Sequence, residues 1–530
     1  MKNVLLTLII IFANHICKAQ SISKADRPNT IKLKIDKNAL WWVGVIDHGY
    51  LMPLKENYHA ETTLNNFNNQ IQPLLLSNGG EVIWCDNPLN ITFNKDSLIV
   101  GSTYSEVLYK KAGNNLKQAY QYAVKNYFPP TKKMPDKALF ASPQYNTWIE
   151  LMYNQNQKDI LRYASAIIEH KMPPGVLMID DNWQEDYGNL KFHAERFHNP
   201  ISMVDSLHKM GFKVMLWVSP FVSPDSYIFR QLSEKKYLLT DSTGQPAMVR
   251  WWNGVSSLLD FTNPEAVTWF KTQLNNLMKD YKIDGFKFDA GDFNFYKDVL
   301  SLKNITPAMH SEIYGQIGES YALNEFRAIF KMGGHPIANR LADKNHTWAD
   351  LQKLVPNMIL ENLMGYQFSC PDMIGGGEFK SFLRSTTIDQ KLIVRSAQCH
   401  ALMPMMQFSV APWRVLDDEH FKAVMEAIAL RKKFNNYILK TVEESALSGE
   451  PVLYPLEYFY PHQGFEFVKD QFMIGDSLMV APILEKNVNK RKIKIPLGTW
   501  KSFSGSIYNG PKDIEIWVNL FTIPYFIKIN

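Results

Sequence analysis

Ile283-Asp284-Gly285-Phe286-Lys287-Phe288-Asp289-Ala290-Gly291-Asp292 decides the fold. The stretch follows a long helical pattern, alternates apolar residues, and ends on carboxylates. A parallel βα barrel delivers catalytic acids in this manner, from the carboxyl ends of its strands. Asp289 is therefore the candidate nucleophile. From this stretch alone the competing reading is a cap on the next helix or a solvated loop acid. Strand alternation puts Lys287 on the same side as Asp289.

Working outward, apolar strand patterns alternate with helical ones. Strands are expected at 138–142, 176–180, 214–219, 285–289, 335–341, 366–370, 403–408 and 452–456. Helices are expected at 158–170, 201–210, 264–281, 311–332, 348–364, 387–402 and 419–440. Eight strands with intervening helices predict an α/β chain built on a (β/α)8 TIM-like barrel over 135–460. Chemistry then belongs at the carboxyl rim. Reading those rims gives Asp180 and Asp181 after one strand, Asp289 after another, then Arg340 with Asp343, then Asp372. Such a ring of acids serves a general acid/base with a nucleophile, hydrogen bonds to sugar hydroxyls, or a hard metal ion. The metal reading is the weaker one, because no pair of histidines or strand-borne Glu completes a ligand set.

Before the barrel the pattern changes. Short strands at 31–35, 41–45, 72–76, 81–84 and 89–93, broken by Ser77-Asn78-Gly79-Gly80 and Asp86-Asn87-Pro88, predict an antiparallel β-sandwich over 21–134. A helix at 114–128 and Pro129-Pro130 lead out of it. Residues 1–20 have an early lysine, an apolar run at 4–13 and a polar end, which is a secretory signal pattern. Export to the periplasm or the outside is expected. A lipid on Cys17 is the lesser alternative, since His15-Ile16 lack the small residues such a site prefers.

Composition excludes several classes. At 530 residues and 46% hydrophobic the chain can bury several cores. Its net charge of +5, lowered to +3 without Lys2 and Lys18, is too weak to argue for nucleic acid. No apolar run reaches membrane-spanning length. Four cysteines, three of them beyond the leader and scattered, make neither a disulfide framework nor a zinc motif. Aromatic residues at 13% suit stacking on sugar rings, as well as ordinary packing.

Four motifs in order resemble glycoside hydrolase family 31, in the branch of the myogenesis-regulating glycosidase and related bacterial α-galactosidases. Leu76-Ser77-Asn78-Gly79-Gly80-Glu81-Val82-Ile83-Trp84 resembles the family's amino-terminal sandwich signature, and Asp284 to Asp292 its nucleophile strand. Pro371-Asp372-Met373-Ile374-Gly375-Gly376 resembles its Asp-Ile-Gly-Gly motif. Gln471 to Pro482 resembles the start of a carboxyl-terminal β-domain, which gives a small β-domain over 461–530.

The resemblance implies a retaining α-glycosidase with two carboxylates and no metal or organic cofactor. Asp289 matches the nucleophile. Asp343, following Arg340, matches the acid/base, in looser surroundings than the family's Trp-x-Gly-Asp. Ile179-Asp180-Asp181-Asn182-Trp183-Gln184 resembles the Asp-Asp-Gly-Trp-Gln stretch of clan α-galactosidases, and Lys287 their Lys-x-Asp pattern. Asp180, Asp181, Trp183, Trp217, Trp252, Lys287, Arg340 and Asp372 form the expected substrate-binding set. A structural pairing of Lys287 with a neighbouring acid competes with a sugar contact. Ser409 stands where the family's α-glucosidases carry His. The expectation is an α-galactosidase-like enzyme acting on oligosaccharide non-reducing ends. The alternatives are an α-glucosidase or α-xylosidase, or an inactive carbohydrate-binding barrel.

Overall fold

The computed structural model describes residues 23–24, 29–36, 38–383 and 388–529. The leader reading, with Cys17, lies outside them. At the centre, eight short parallel strands form one sheet that curls towards closure. They are β1 (Gln144–Asn146), β2 (Val176–Ile179), β3 (Lys213–Val218), β4 (Gly285–Phe288), β5 (Leu323–Phe326), β6 (Asn339–Arg340), β7 (Ser369–Cys370) and β8 (Gln407–Phe408). β8 pairs with β1, and the gap to β7 is bridged by the Ile374 amide donating to the Gln407 carbonyl at 2.8 Å. The barrel expected from the sequence is therefore present.

β4 shows why the quoted stretch is so specific. Phe286 and Phe288 point to the helical layer, where Phe288 stacks on Phe326 with centroids 4.8 Å apart and Phe286 meets Tyr321 edge-on. Lys287 points into the barrel. A side chain at Gly285 would bring its Cβ within 1.9 Å of the Leu323 carbonyl oxygen, so the approach of β5 demands glycine. The preceding helix, Pro264–Tyr281, opens with Asn263 accepting from the Glu265 amide, carries proline in its first turn, and ends at Lys282 in the left-handed region. The chain then enters β4 with Asp284 accepting from the Val214 amide and bound to His208.

Two strand expectations and one helix expectation fail, and the errors cancel in the count of eight strands. Residues 138–142 form a short helix, Ala138–Ala141, and the first strand lies just beyond it. The helix expected over 311–332 spans only Pro307–Gly318, because β5 follows it. The strand expected at 452–456 is Leu453–Tyr454, which pairs with Phe472–Ile474 in the C-terminal sheet and not in the barrel. Helical periodicity ran through Gly318-Glu319-Ser320 because Tyr321, Leu323 and Phe326 continue an apolar pattern compatible with both structures.

The N-terminal region folds as two antiparallel sheets of five and four strands. Strands Tyr58–Glu61, Ser97–Gly101 and Leu108–Lys111 join those read from sequence. Trp41, Phe93 and Tyr58 pack edge-on between the layers. The C-terminal region is a six-stranded antiparallel sheet dominated by the hairpin Lys490–Ser502 and Ile507–Trp517. The helix Asp418–Ser448 links it to the barrel and ends on Gly449 with φ 77°. Among the described residues no helix is long and apolar enough to cross a membrane. Cys85, Cys370 and Cys399 are free and buried.

Candidate active site

A cleft of about 560 Å³ opens at the carboxyl rim of the barrel and is lined by Asp180, Asp181, Trp217, Lys287, Asp289 and Arg340, with Asp343 and Trp252 among its outer residues. Beneath it the barrel interior is polar. Glu325 of β5 takes a hydrogen bond from Gln407 at 2.8 Å and lies 3.4 Å from the Arg340 guanidinium. A charged network therefore spans the barrel from β2 to β8.

Asp289 is the best-held group in this cleft. Its Oδ2 accepts from Trp217 Nε1 and its Oδ1 from Arg327 Nε, each at 3.0 Å, and Oδ1 also accepts from the Ala290 amide at 2.8 Å. Ala290 sits at φ 62°, a left-handed turn that lets the backbone amide fold back onto the carboxylate. Burial opposes ionisation of Asp289. Arg327, Lys287, the Trp217 donor and Arg340 outweigh it and hold the carboxyl well below its usual range. It is thus an anion at every ordinary pH, with its lone pairs directed into an enclosed cleft.

Arg327 makes this possible. Beyond Asp289 it donates to Asp292 Oδ1 at 3.0 Å from Nη1, while Nη2 is paired with the other Asp292 oxygen. Nη1 also donates to the Asn68 carbonyl at 2.8 Å. Trp252, 47% exposed at the mouth, lies over the same guanidinium, 5.7 Å from its carbon. Arg327 follows β5 directly and was missed because that strand was read as helix. The detectable signal was the break at Gly318-Glu319-Ser320 followed by the alternation Leu323-Asn324-Glu325-Phe326.

Asp343 faces the same cleft with a side chain 37% exposed, and its Oδ1 accepts from Arg340 Nη1 at 2.8 Å. The same nitrogen reaches Asp372 Oδ1 at 2.8 Å. Asp372 is buried behind the rim, where its Oδ2 accepts from the Lys344 and Gly377 amides. Burial and the neighbouring Asp343 carboxylate push Asp372 up to about 7. The geometry thus makes Asp372 a support for Arg340 and the Asp343 loop, not part of the cleft wall.

At the end of β2, Asp180 Oδ2 accepts from Lys287 Nζ at 2.7 Å, both side chains being 4% exposed. The structural pairing considered for Lys287 is therefore real, and the pair still lines the cleft. Burial lowers Lys287, but the Asp180, Asp289 and Glu325 carboxylates together outweigh burial and Arg340 and leave it raised. Asp181 accepts from Tyr187 at 2.9 Å and Asn253 at 2.6 Å, and burial followed by Asp180 pushes it up to about 7. Trp183, expected against substrate, is fully buried in the hydrophobic core, with its Nε1 donating to the Trp217 carbonyl at 2.7 Å. The left-handed turn at Asn182, φ 72°, carries it away from the cleft and under β3. Ser409 is also buried and accepts from the Ile149 amide. Trp251 stacks on Phe221 at 4.0 Å and supports Trp252 at 5.0 Å.

The sandwich completes the site. From the loop before its strand Ile71–Ser77, Asn66 donates to Asp292 Oδ1 at 3.1 Å, and Gln70 donates to the Arg327 and Arg340 carbonyls at 2.7 and 2.9 Å. Asn69 accepts from the Ala342 amide at 2.8 Å. None of these side chains carries a catalytic pattern in sequence, so only the fold reveals them.

Comparison with known proteins agrees with this architecture. The Glycosyl hydrolases family 31 TIM-barrel domain matches residues 132–441, and the Glycosyl hydrolase family 31 C-terminal domain matches 449–530. The mouse (Mus musculus) myogenesis-regulating glycosidase is 32% identical over 410 residues, covering 75% of this chain and 57% of that protein. An α-xylosidase of Lactiplantibacillus pentosus is 25% identical over 491 residues, covering 84% and 60%. The chain thus spans somewhat over half the length of these relatives. The fold is also that of a Flavobacterium johnsoniae family 31 dextranase, with a TM-score of 0.82, 19% identity, and coverage of 96% of this chain and 67% of that one. With the TIM-barrel match extending over more than half of its length, the chain belongs to glycosyl hydrolase family 31.

Proposed function

We propose that this protein is a retaining α-glycosidase that releases a terminal galactose-like sugar from an oligosaccharide or glycoside. The observation that carries the reading is Asp289, a buried carboxylate kept ionised by Arg327 and Trp217 in a cleft it shares with Asp343. In the first half-reaction Asp289 attacks the anomeric carbon and forms a glycosyl ester, while Asp343 gives its proton to the departing glycosidic oxygen. Esterification removes the negative charge of Asp289 next to Arg327. Asp343, now a carboxylate, takes a proton from water as that water attacks the same carbon from the vacated side. The ester bond breaks and Asp289 is released as the anion. Protons balance over the cycle, and no metal or organic cofactor enters it.

Family membership supports the reaction class. The preference for galactose rests on Lys287 and on the Asp180-Asp181 pair at the sugar end of the cleft, whose pattern resembles clan α-galactosidases. The names of the relatives, among them an α-xylosidase and an α-glucosidase, favour a second reading in which the same machinery takes glucose or xylose. Turnover of aryl α-galactoside, α-glucoside and α-xyloside separates them. Asp289→Asn should abolish turnover of whichever is cleaved, at unchanged melting temperature. Residual wild-type rates in that variant refute the nucleophile assignment, and tight binding of sugars by a wild-type protein without turnover points to a carbohydrate-binding barrel.

A further inference from the structure

Remote from the cleft, where the chain leaves the barrel for the C-terminal sheet, Glu457, His462 and Glu466 each offer one ligand atom to a shared cluster. The three atoms lie within 4.8 Å of one another. Glu457 has a fully buried side chain and sits in the helix Leu456–Phe459. His462 and Glu466 lie on the loop that follows it. Among the described residues no lysine or arginine pairs with Glu457, and its ionic neighbour is His462, with Nδ1 3.9 Å from Oε1. That separation is too long for a hydrogen bond.

The tautomer of His462 is set from outside the cluster. Its Nε2 lies 3.0 Å from the backbone carbonyl of Asn114, an oxygen that can only accept. Nε2 therefore carries the proton, and in the neutral ring Nδ1 turns a bare lone pair towards two carboxylates. A metal-binding histidine is oriented in this way, by donating its other ring N–H to a carbonyl. The Glu457 carboxylate is steadied in turn by the His462 amide, at 3.1 Å from Oε1. Three lone-pair donors facing one another attract a cation between them. One nitrogen and two carboxylate oxygens are the donor set of a borderline divalent ion such as zinc, with ligand distances near 2.0–2.2 Å. Ligand atoms around such an ion stand roughly 3.4 Å apart, so the cluster contracts by about 1 Å on loading. The partly exposed His462 leaves the outer face to water.

We propose that Glu457, His462 and Glu466 bind one zinc-type divalent cation. The ion pins the loop entering the C-terminal sheet, and through the Asn114 carbonyl it also ties down the segment before the helix Leu116–Asn126. Its role is structural: it joins the first and last regions of the chain beside the point where Tyr120 already packs edge-on against Tyr458.

The test is isothermal titration of the chelator-stripped full chain with zinc chloride, in parallel with thermal unfolding. One zinc per chain is expected, and at a hundredfold excess over Kd a melting rise of about 2 °C. His462→Ala and Glu466→Gln, both outside the buried core, should each weaken zinc at least tenfold and remove the melting shift. Glu457→Gln is a poor single test because its side chain is buried. Absence of zinc binding by the wild type, zinc affinity unchanged in both variants, or binding of calcium with no response to zinc overturns the proposal.

Discussion

Arg327→Met removes the cation that the site depends on most. In the wild type the guanidinium lies 3.0 Å from Asp289 and also pairs with Asp292, with its own side chain only 10% exposed. Two unit charges at that distance attract by about 5 kcal/mol if the effective dielectric is near 20. Lys287 and Arg340 remain as weaker counter-charges and water enters the space, so the net loss is about 3 kcal/mol, at the low end for breaking a buried pair. In turnover that is roughly a hundredfold in kcat/KM. The pH dependence has a definite sign. In the wild type Asp289 is ionised throughout the assayed range, so removing Arg327 raises its value and brings an acid limb of the kcat/KM profile up towards that range. Stability follows the same linkage. A depressed carboxyl contributes stability above its unfolded value and loses it as pH falls through the folded value, so the variant lacks this contribution at neutral pH. Arg327→Lys, which keeps the charge without the fork, should recover part of the rate and most of the acid-limb position. The assay is kcat/KM on the cleaved aryl glycoside from pH 4 to 8, with circular dichroism to verify folding. A folded Met variant with kcat/KM within about threefold of wild type and an unmoved acid limb would refute the electrostatic account of Asp289.

Trp217→Phe deletes the Nε1 donor to Asp289 while keeping the aromatic wall, and hydrogen bonds to a charged group are worth about 1.5–3 kcal/mol, so kcat/KM should fall roughly 10- to 100-fold on the same substrate. Glu361 is fully buried in the helix Trp348–Leu363, neither carboxylate oxygen has a hydrogen-bond partner, and burial drives its proton affinity well above the ordinary value despite Lys344. A carboxyl raised in the fold contributes its full stability below its unfolded value and loses it as pH rises, by up to about 1.4 kcal/mol per unit. Glu361→Met should therefore melt higher than wild type, with an advantage that widens from pH 5 to pH 9 in calorimetric scans.

The sequence made β4 legible because three requirements coincide in six residues: a glycine where β5 passes, aromatics on one face, and polar groups on the other. The rim acids Asp180, Asp181, Asp289 and Asp343 were legible for the same reason, each following a compact apolar run. β5 was hidden because four residues after a helix do not carry enough alternation to compete with an apolar pattern that also fits 3.6 residues per turn. Arg327 and Glu325 went with it. Trp183 was misassigned because a motif fixes which residue follows the acids and not the sign of φ at Asn182, which turns the indole inward. Asn66 accepts from the Phe293 amide and Gln70 donates to barrel carbonyls, while Asn68 offers its own carbonyl to the Arg327 side chain, and such contacts leave no periodic trace in sequence.

That loop of the sandwich has a consequence for how the protein can be cut and recombined. Because Asn68 and Gln70 grip Arg327 and the strand ends behind it, a barrel produced alone would keep its carboxylates but lose the jig that aligns them. Exchanging the sandwich for that of a relative, with the barrel untouched, amounts to retuning the reaction centre from outside the domain that houses it.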